Sequence, residues 1–382
     1  MTLVSRRSAV EPFHAMDVLA KANKIAAAGH PVISMAVGQP SDPVPDAVRK
    51  AAERALAAGR IGYTDSLGLP ELRRAIALHY REHYDVSVDP ARIAVTSGSS
   101  AAFNLAFLAM FDAGDRVATT RPGYPAYRNI MKALGLEVVE IPVDAASGNL
   151  SGERLEEEHR KGRLKGLLFA SPANPTGQTI AASEMDSLVK TAERLGISII
   201  SDEIYHRLNH SGGDHTALSA SANAVIINSF SKYYCMTGWR IGWMVLPEVL
   251  VRPVERIAQS LYISAPELSQ HAAIAAFGCT EDYETIRQRY LSNRALLTER
   301  LPRLGLPLAA PMDGAFYAWC DVSRHTNDSM AFANQILEQT FVAATPGHDF
   351  DPENGRRFMR LSYAGRLEDM IEALDRLERF LL

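Results

Sequence analysis

The sequence predicts an α/β protein with a large domain, whose mostly parallel sheet is flanked by helices, and a smaller α+β domain. Three observations carry this reading. The chain has 382 residues, more than one hydrophobic core commonly serves. From Pro45 to about Phe277, short and almost continuously apolar runs alternate with helical patterns. Parallel strands buried on both faces read that way. After about Gly278 this alternation gives way to a charged helix and isolated apolar runs. The expected boundaries are 45–277 for the large domain, with 1–44 and 278–382 forming the small one.

The elements follow in order. Between Pro12 and Ala28, Val18, Ala22, Ile25 and Ala26 share helical spacing, and Gly29 and Pro31 end the pattern. The run Val32 to Val37 leads into Gly38-Gln39-Pro40. Ile93 to Thr96 is the first strand of the alternating region, followed by Ser97-Gly98-Ser99-Ser100 and an apolar helix through Met110. Val117 to Thr120 and Gly166 to Ala170 come next, the second leading into Asn174-Pro175-Thr176-Gly177. Ser183 is read as the cap of a helix that buries Met185, Leu188, Ala192 and Leu195 and stops at Gly196. Ile197 to Ile200, Val225 to Ile227 and Ile241 to Leu246 complete the sheet. Beyond them lie a helix from Asp282 to about Leu301, the runs Ala315 to Trp319 and Phe358 to Tyr363, and a last amphipathic helix.

Composition narrows the function classes. Hydrophobic residues make up 47%, charged residues 22%, and the formal net charge is −4. Nothing there points to a nucleic-acid or membrane partner. The three cysteines, Cys235, Cys279 and Cys320, have neither metal-ligand nor redox spacing, so a reducing cytoplasm is expected. Arg6-Arg7 is followed by a stretch that charged residues interrupt, which leaves no apolar export core.

Open parallel sheets bind ligands beyond the carboxyl ends of their strands. Ser97 to Ser100, Tyr124, Asn174, Asp202 and Lys232 each follow a different apolar run, so the architecture should bring them to one crevice. Gly98, Ser99 and Ser100 open a helix, where backbone N–H groups favour an anion such as phosphate. Taken alone, a plain helix start is the commoner reading. Asp202 at a strand end needs a cationic or hydrogen-bonding partner, and a protonated pyridine nitrogen or an arginine would serve. A desolvated Lys232 would have a lowered pKa and could form an imine with an aldehyde, although most lysines are surface residues. Arg240, eight positions later, suits a phosphate. Asn174 reads as a turn residue and Tyr124 as packing without further context. His206, His210 and His215 lie near one another without a carboxylate–histidine pattern, so no metal is expected.

Ser229-Phe230-Ser231-Lys232 followed by Thr237-Gly238-Trp239-Arg240 resembles the lysine signature of class I/II aminotransferases, in the aspartate-aminotransferase superfamily of fold type I pyridoxal-phosphate (PLP) enzymes. The resemblance runs from Gly38-Gln39-Pro40 to Arg360-Leu361-Ser362-Tyr363. It takes in Gly62-Tyr63-Thr64-Asp65, Gly68, Leu72-Arg73, Ser97-Gly98-Ser99, Asn174-Pro175-Thr176-Gly177 and Asp202-Glu203-Ile204-Tyr205 in order. It implies pyridoxal 5'-phosphate held by Lys232 as a Schiff base. Asp202 would pair with the pyridine nitrogen, Tyr205 and Asn174 would bond the phenolic oxygen, and Tyr124 would stack on the ring. Gly98, Ser99, Ser100, Ser229 and Arg240 would hold the phosphate. Tyr63 would reach the neighbouring site of a homodimer. Arg360 would grip the substrate carboxylate, helped by Asn174 and the backbone of Gly38.

The resemblance also implies the reaction, in which the amino group of an L-amino acid passes to a 2-oxo acid by a ping-pong sequence through Lys232. The same residues would serve PLP-dependent lyases and synthases, cysteine-S-conjugate β-lyases among them. A non-catalytic PLP-binding regulator is disfavoured, because such proteins carry a DNA-binding domain ahead of a fold that here begins by Gly38. A nicotinamide dehydrogenase is disfavoured because no Gly-x-Gly-x-x-Gly follows a first strand. The readable motifs assign no arginine to a distal carboxylate and so do not support aspartate as donor.

Overall fold

The apolar runs become strands in a computed structural model that describes residues 3–144 and 147–382. In chain order these are β1 (Ile33–Ser34), β2 (Ile93–Thr96), β3 (Arg116–Arg121), β4 (Glu137–Pro142), β5 (Gly166–Ala170), β6 (Ser198–Asp202), β7 (Val225–Ser229), β8 (Gly242–Val245), β9 (Tyr317–Asp321), β10 (Val342–Ala343), β11 (Thr345–Pro346) and β12 (Phe358–Ser362). Seven of them form one sheet in the order β2-β8-β7-β6-β5-β3-β4. Strands β3 to β7 pair in parallel. β8 is antiparallel to both β7 and β2, so β2 runs with the parallel set. The carboxyl ends of β2, β3, β5, β6 and β7 therefore share an edge with the amino end of β8.

Both faces of this sheet are covered. Leu168, Ile200, Ile227 and Met244 pack with Phe103 and Phe107 on one face. Their chain neighbours Leu167, Ile199, Ile226 and Trp243 pack with Met185 and Leu188 on the other. Successive strand residues point to opposite faces, so double burial removes the polar alternation and leaves continuous apolar runs. β4 is an addition to the sequence reading. It is one of the two outer strands, largely part-exposed, and Glu137 and Glu140 dilute its apolar signal.

One cap differs from the sequence reading. The helix there is Ala182–Arg194, Ser183 lies inside it, and Ala181 occupies the capping position. The Glu184 carboxylate accepts from the Ala181 N–H at 3.4 Å. That bond satisfies a backbone donor at the helix start without a hydroxyl.

The smaller α+β part holds the antiparallel sheet β11-β12-β9 and the parallel pair β1-β10. Helices Thr280–Arg303, Ser329–Thr340 and Leu367–Leu381 accompany them. The first helix, His14–Ala27, packs Val18 and Ala22 against Leu337 and Ala343. Among the described residues, no helix is long and apolar enough to cross a membrane. No group of three or more His, Cys, Asp or Glu among them could hold a metal ion.

Candidate active site

A cavity of about 200 Å³ opens at the shared strand edge. Gly38, Ser99, Ser100, Tyr124, Asn174, Asp202, Tyr205, Lys232, Arg240 and Arg360 all line it. Segments separated by more than 300 residues meet there, Gly38 and Arg360 among them, because the smaller α+β part closes over the edge of the large sheet.

Lys232 follows β7 by three residues and is part-buried. Its Nζ donates to Gly38 O at 2.5 Å. Burial, with the guanidiniums of Arg360 and Arg240 nearby, brings the amine down to about 8, against the opposing pull of Asp202. Gly38 is constrained from the other side, since a Cβ there would lie 1.9 Å from Tyr317 Oη. The same Tyr317 hydroxyl is 2.6 Å from that of Tyr205.

Asp202 ends β6 and is 3% exposed. Oδ1 accepts from Ile204 N at 3.1 Å, and Oδ2 accepts from the Tyr127 hydroxyl. Both donors are neutral. Burial pushes the carboxyl up to about 6, with the Tyr127 and Ile204 bonds opposing the shift. A buried carboxylate held this way favours a cation brought against it. Glu203 turns to the opposite face, where Ser201, Thr216 and Ala217 donate to it.

Arg360 lies on β12, 2% exposed. Nη1 donates to Asn174 Oδ1 at 2.8 Å and Nη2 to Ala36 O at 2.6 Å. The guanidinium stands 4.3 Å from the Tyr317 ring and 4.7 Å from the Phe350 ring. Its Nε is buried without a hydrogen-bond partner, and no carboxylate among the described residues pairs with it. A buried guanidinium with no carboxylate in contact favours an anionic ligand.

Arg240 sits at φ 51 after the short turn Thr237–Trp239, and its Nη1 donates to Thr237 O at 3.0 Å. It faces the start of the helix Gly98–Met110. Gly98 has φ +76, and a Cβ there would lie 2.5 Å from Arg240 Nη2. The left-handed backbone favours glycine, and a side chain there would displace the Arg240 guanidinium. Ser99 and Ser100 line the cavity from the first turn of that helix.

Three expected residues stand apart from the lining, Gly98 being set behind the Arg240 guanidinium. Ser229 is buried behind Ser231, with its Oγ donating to Ile241 O at 3.0 Å. Tyr63 is 80% exposed and does not line this chain's cavity. The three histidines do not converge. His206 meets the Tyr84 hydroxyl, His210 the Ala315 carbonyl, and His215 the Asp186 carboxylate. Residues to which the sequence reading gave no site role also line the cavity: Tyr127, Tyr317, Ser231, Thr237, and apolar Phe13, Met16, Val37 and Ile204. The sequence Tyr124-Pro125-Ala126-Tyr127 offered a signal for Tyr127, because Pro125 opens a helix and sets Tyr127 in its first turn, where its ring lies 5.3 Å from that of the capping Tyr124. Phe13 and Met16 carried none, since their helix reads as ordinary packing.

Known proteins resemble this chain over nearly its whole length. The profile of the family "Aminotransferase class I and II" matches residues 30–377. A valine–pyruvate aminotransferase of Mycobacterium tuberculosis is 45% identical over 99% of this chain and 98% of its own length. An aspartate aminotransferase of Thermotoga maritima is 34% identical over 99% of both chains. The crystal structure of an aminotransferase from Mycobacterium tuberculosis superposes with a TM-score of 0.96 at 44% identity, covering 100% of this chain and 99% of the other.

Proposed function

Because the chain belongs to the class I and II aminotransferase family, with the fold type I architecture of PLP enzymes, we propose that it transfers the amino group of an apolar L-amino acid to a 2-oxo acid. The observation that carries this reading is the meeting of three groups in one cavity: a low-pKa amine at Lys232, a buried carboxylate at Asp202, and a buried guanidinium at Arg360 without a carboxylate partner.

These residues fit pyridoxal phosphate. Arg240 with the first turn at Gly98, Ser99 and Ser100 would hold the phosphate, supported from behind by Ser229. Asp202 would accept a hydrogen bond from the protonated ring nitrogen, and Tyr127 would keep Asp202 oriented. Tyr124 would lie against the ring, and Tyr205 and Asn174 would reach its phenolic oxygen. When bound, the cofactor supplies an aldehyde and an electron-withdrawing ring that accepts the electrons of a substrate Cα–H bond.

The protein's own groups do the rest. Arg360 would bind the substrate carboxylate through Nη1 and Nη2, with Asn174 holding the guanidinium in place. Lys232 Nζ, released as a neutral amine, would take the α-proton and return it. Its lowered pKa makes that neutral form accessible near neutral pH. Of the lining cations Lys232, Arg240 and Arg360, none is left for a second substrate carboxylate, while Phe13, Met16, Val37 and Ile204 are apolar. A monocarboxylic apolar donor fits this lining, and similarity to a valine–pyruvate aminotransferase supports it.

The test is a donor panel on the PLP-loaded protein without acceptor. An apolar L-amino acid should change the absorbance of the bound cofactor, and a 2-oxo acid should restore it. Ammonia and pyruvate released from a single amino acid without acceptor would replace this reading with a lyase. We infer further that two copies pair so that Tyr63 completes the neighbouring site. The exposed Ile61 and the exposed Ile263 beside the Tyr63 segment support it. A sedimenting monomer with full activity would overturn it.

A further inference from the structure

One wall of the cavity is the first turn of helix His14–Ala27, which contributes Phe13, Ala15 and Met16. Phe13 occupies the capping position and offers no side-chain acceptor. The acceptors come from the far end of the chain. Asp349 Oδ1 accepts from His14 N at 3.1 Å and Oδ2 from Ala15 N at 2.7 Å, across sequence separations of 335 and 334 residues. Asp349 is 2% exposed. A carboxylate on the two leading amides satisfies backbone donors that the helix cannot satisfy itself, and it complements the helix dipole.

The segment carrying Asp349 also touches the rest of the site. The adjacent Phe350 ring lies 4.7 Å from the Arg360 guanidinium. The Phe350 carbonyl accepts from Gly123 N at 3.0 Å, beside Tyr124. Arg128 Nη2 donates to the Asp349 carbonyl at 2.5 Å. Phe13 in turn meets Tyr124 edge to face, with ring centroids 5.9 Å apart. The position of Phe13 and Met16 is thereby registered against Arg360 and Tyr124.

The rest of the helix is held independently. Val18 and Ala22 pack with Leu337 and Ala343, and Lys21 Nζ donates to Asn334 Oδ1 at 2.8 Å. Losing the Asp349 carboxylate would free the first turn and leave the other turns docked. Met16 is 51% exposed. Besides Asp349, the first turn is held by the buried Ala15 and by ring contacts of Phe13 with Tyr124 and of His14 with His348. The Asp349 carboxylate is thus its one side-chain hydrogen-bond acceptor among the described residues.

We propose that Asp349 is a positioning residue that sets selectivity for the amino-acid side chain, by clamping Phe13 and Met16 against the cavity. The proposal rests on the aminotransferase reading above. A substrate held at Arg360 with an apolar side chain gains from a fixed apolar wall, whereas one with a single methyl gains little.

The test compares PLP-loaded wild type, Asp349→Asn and Asp349→Ala. Single-turnover kcat/KM for L-valine and L-alanine is read from the change in cofactor absorbance without acceptor. Hydrogen exchange is followed across residues 14–27, and the Kd for pyridoxal phosphate is measured in parallel. The Ala variant should lose ~tenfold of the valine-over-alanine preference, the scale of a lost helix cap. The Asn variant, which keeps one acceptor oxygen, should lose less. Exchange should rise in the first turn only, and cofactor affinity should hold. Combining Asp349→Ala with Phe13→Ala should add less than the sum of the two, because both act through one contact. An equal loss for both amino acids, additive substitutions, or a first turn that exchanges as in wild type would overturn the proposal. Wild type inert to every amino acid would instead overturn the underlying reading, and is distinguishable by that.

Discussion

Arg360 Nη1 donates to Asn174 Oδ1 over 2.8 Å, tying β12 of the small antiparallel sheet to the loop after β5 of the large one. The guanidinium is thereby fixed by a neutral amide and a carbonyl, with aromatic rings on it and no carboxylate in contact among the described residues. That arrangement keeps a buried cation ready for an anion at the junction of the two sheets.

Arg360→Ala should therefore weaken amino-acid binding by about 2–5 kcal/mol, the range for truncating a desolvated charge pair. Titration of the PLP-loaded protein with the best donor measures it. Cofactor affinity should change little, and an equal loss in both would argue against the assigned role. Arg360→Lys should recover only part of the affinity, because an ammonium lacks the planar fork.

Lys232→Ala should abolish both turnover and the yellow colour of the purified protein. The lysine also predicts a pH dependence. With its amine at about 8, the reactive neutral form grows as pH rises through 8 and is nearly complete by about 9. Capture of pyridoxal phosphate by the cofactor-free protein should follow that curve and level off. A rate that keeps climbing past pH 10 would contradict the lowered pKa.

Asp202 carries the opposite sign. Its carboxyl is raised from 3.8 to about 6 in the folded protein, so between those values the folded form binds more protons than the unfolded form. The contribution of this group to stability is present below pH 3.8 and is lost as pH rises through 6. In cofactor-free protein, Asp202→Asn should remove that loss and raise the melting temperature at pH 7 relative to wild type. The same variant should lose about 100-fold or more in turnover, on the scale of a deleted preorganised electrostatic partner. Melting curves from pH 3.5 to 7.5 test the first half of this, and single-turnover kinetics the second.

Gly98→Ala should cost about 1–2 kcal/mol of stability from the left-handed backbone alone. It should also push the Arg240 guanidinium away, since the added Cβ would lie 2.5 Å from Nη2. Affinity for pyridoxal phosphate should fall more than affinity for the amino acid. A variant that binds the cofactor as tightly as wild type would remove Arg240 from the phosphate site.

Much of the sheet was legible because burial on both faces leaves uninterrupted apolar runs. β2 and β5 begin and end where those runs do. β6 and β7 extend two residues past their apolar runs, to Asp202, which lines the cavity, and to Ser229, which is buried beside it. β4 escaped notice because an edge strand tolerates charge. Ser183 misled because a hydroxyl near a helix start is only one of several ways to satisfy the first amides.

The sequence by itself determined which polar residues stand at strand ends, and hence that Ser99, Ser100, Asn174, Asp202 and Lys232 meet. Strand-end position is a local property, written in a few consecutive residues, and a parallel sheet converts it into proximity. Only the tertiary structure decided what surrounds them. Tyr127 on Asp202, Tyr317 on Tyr205, the bare guanidinium of Arg360, and the clamp of Asp349 on His14 and Ala15 all join segments far apart in the chain. Such partners depend on how one layer docks against another, and no local periodicity encodes that.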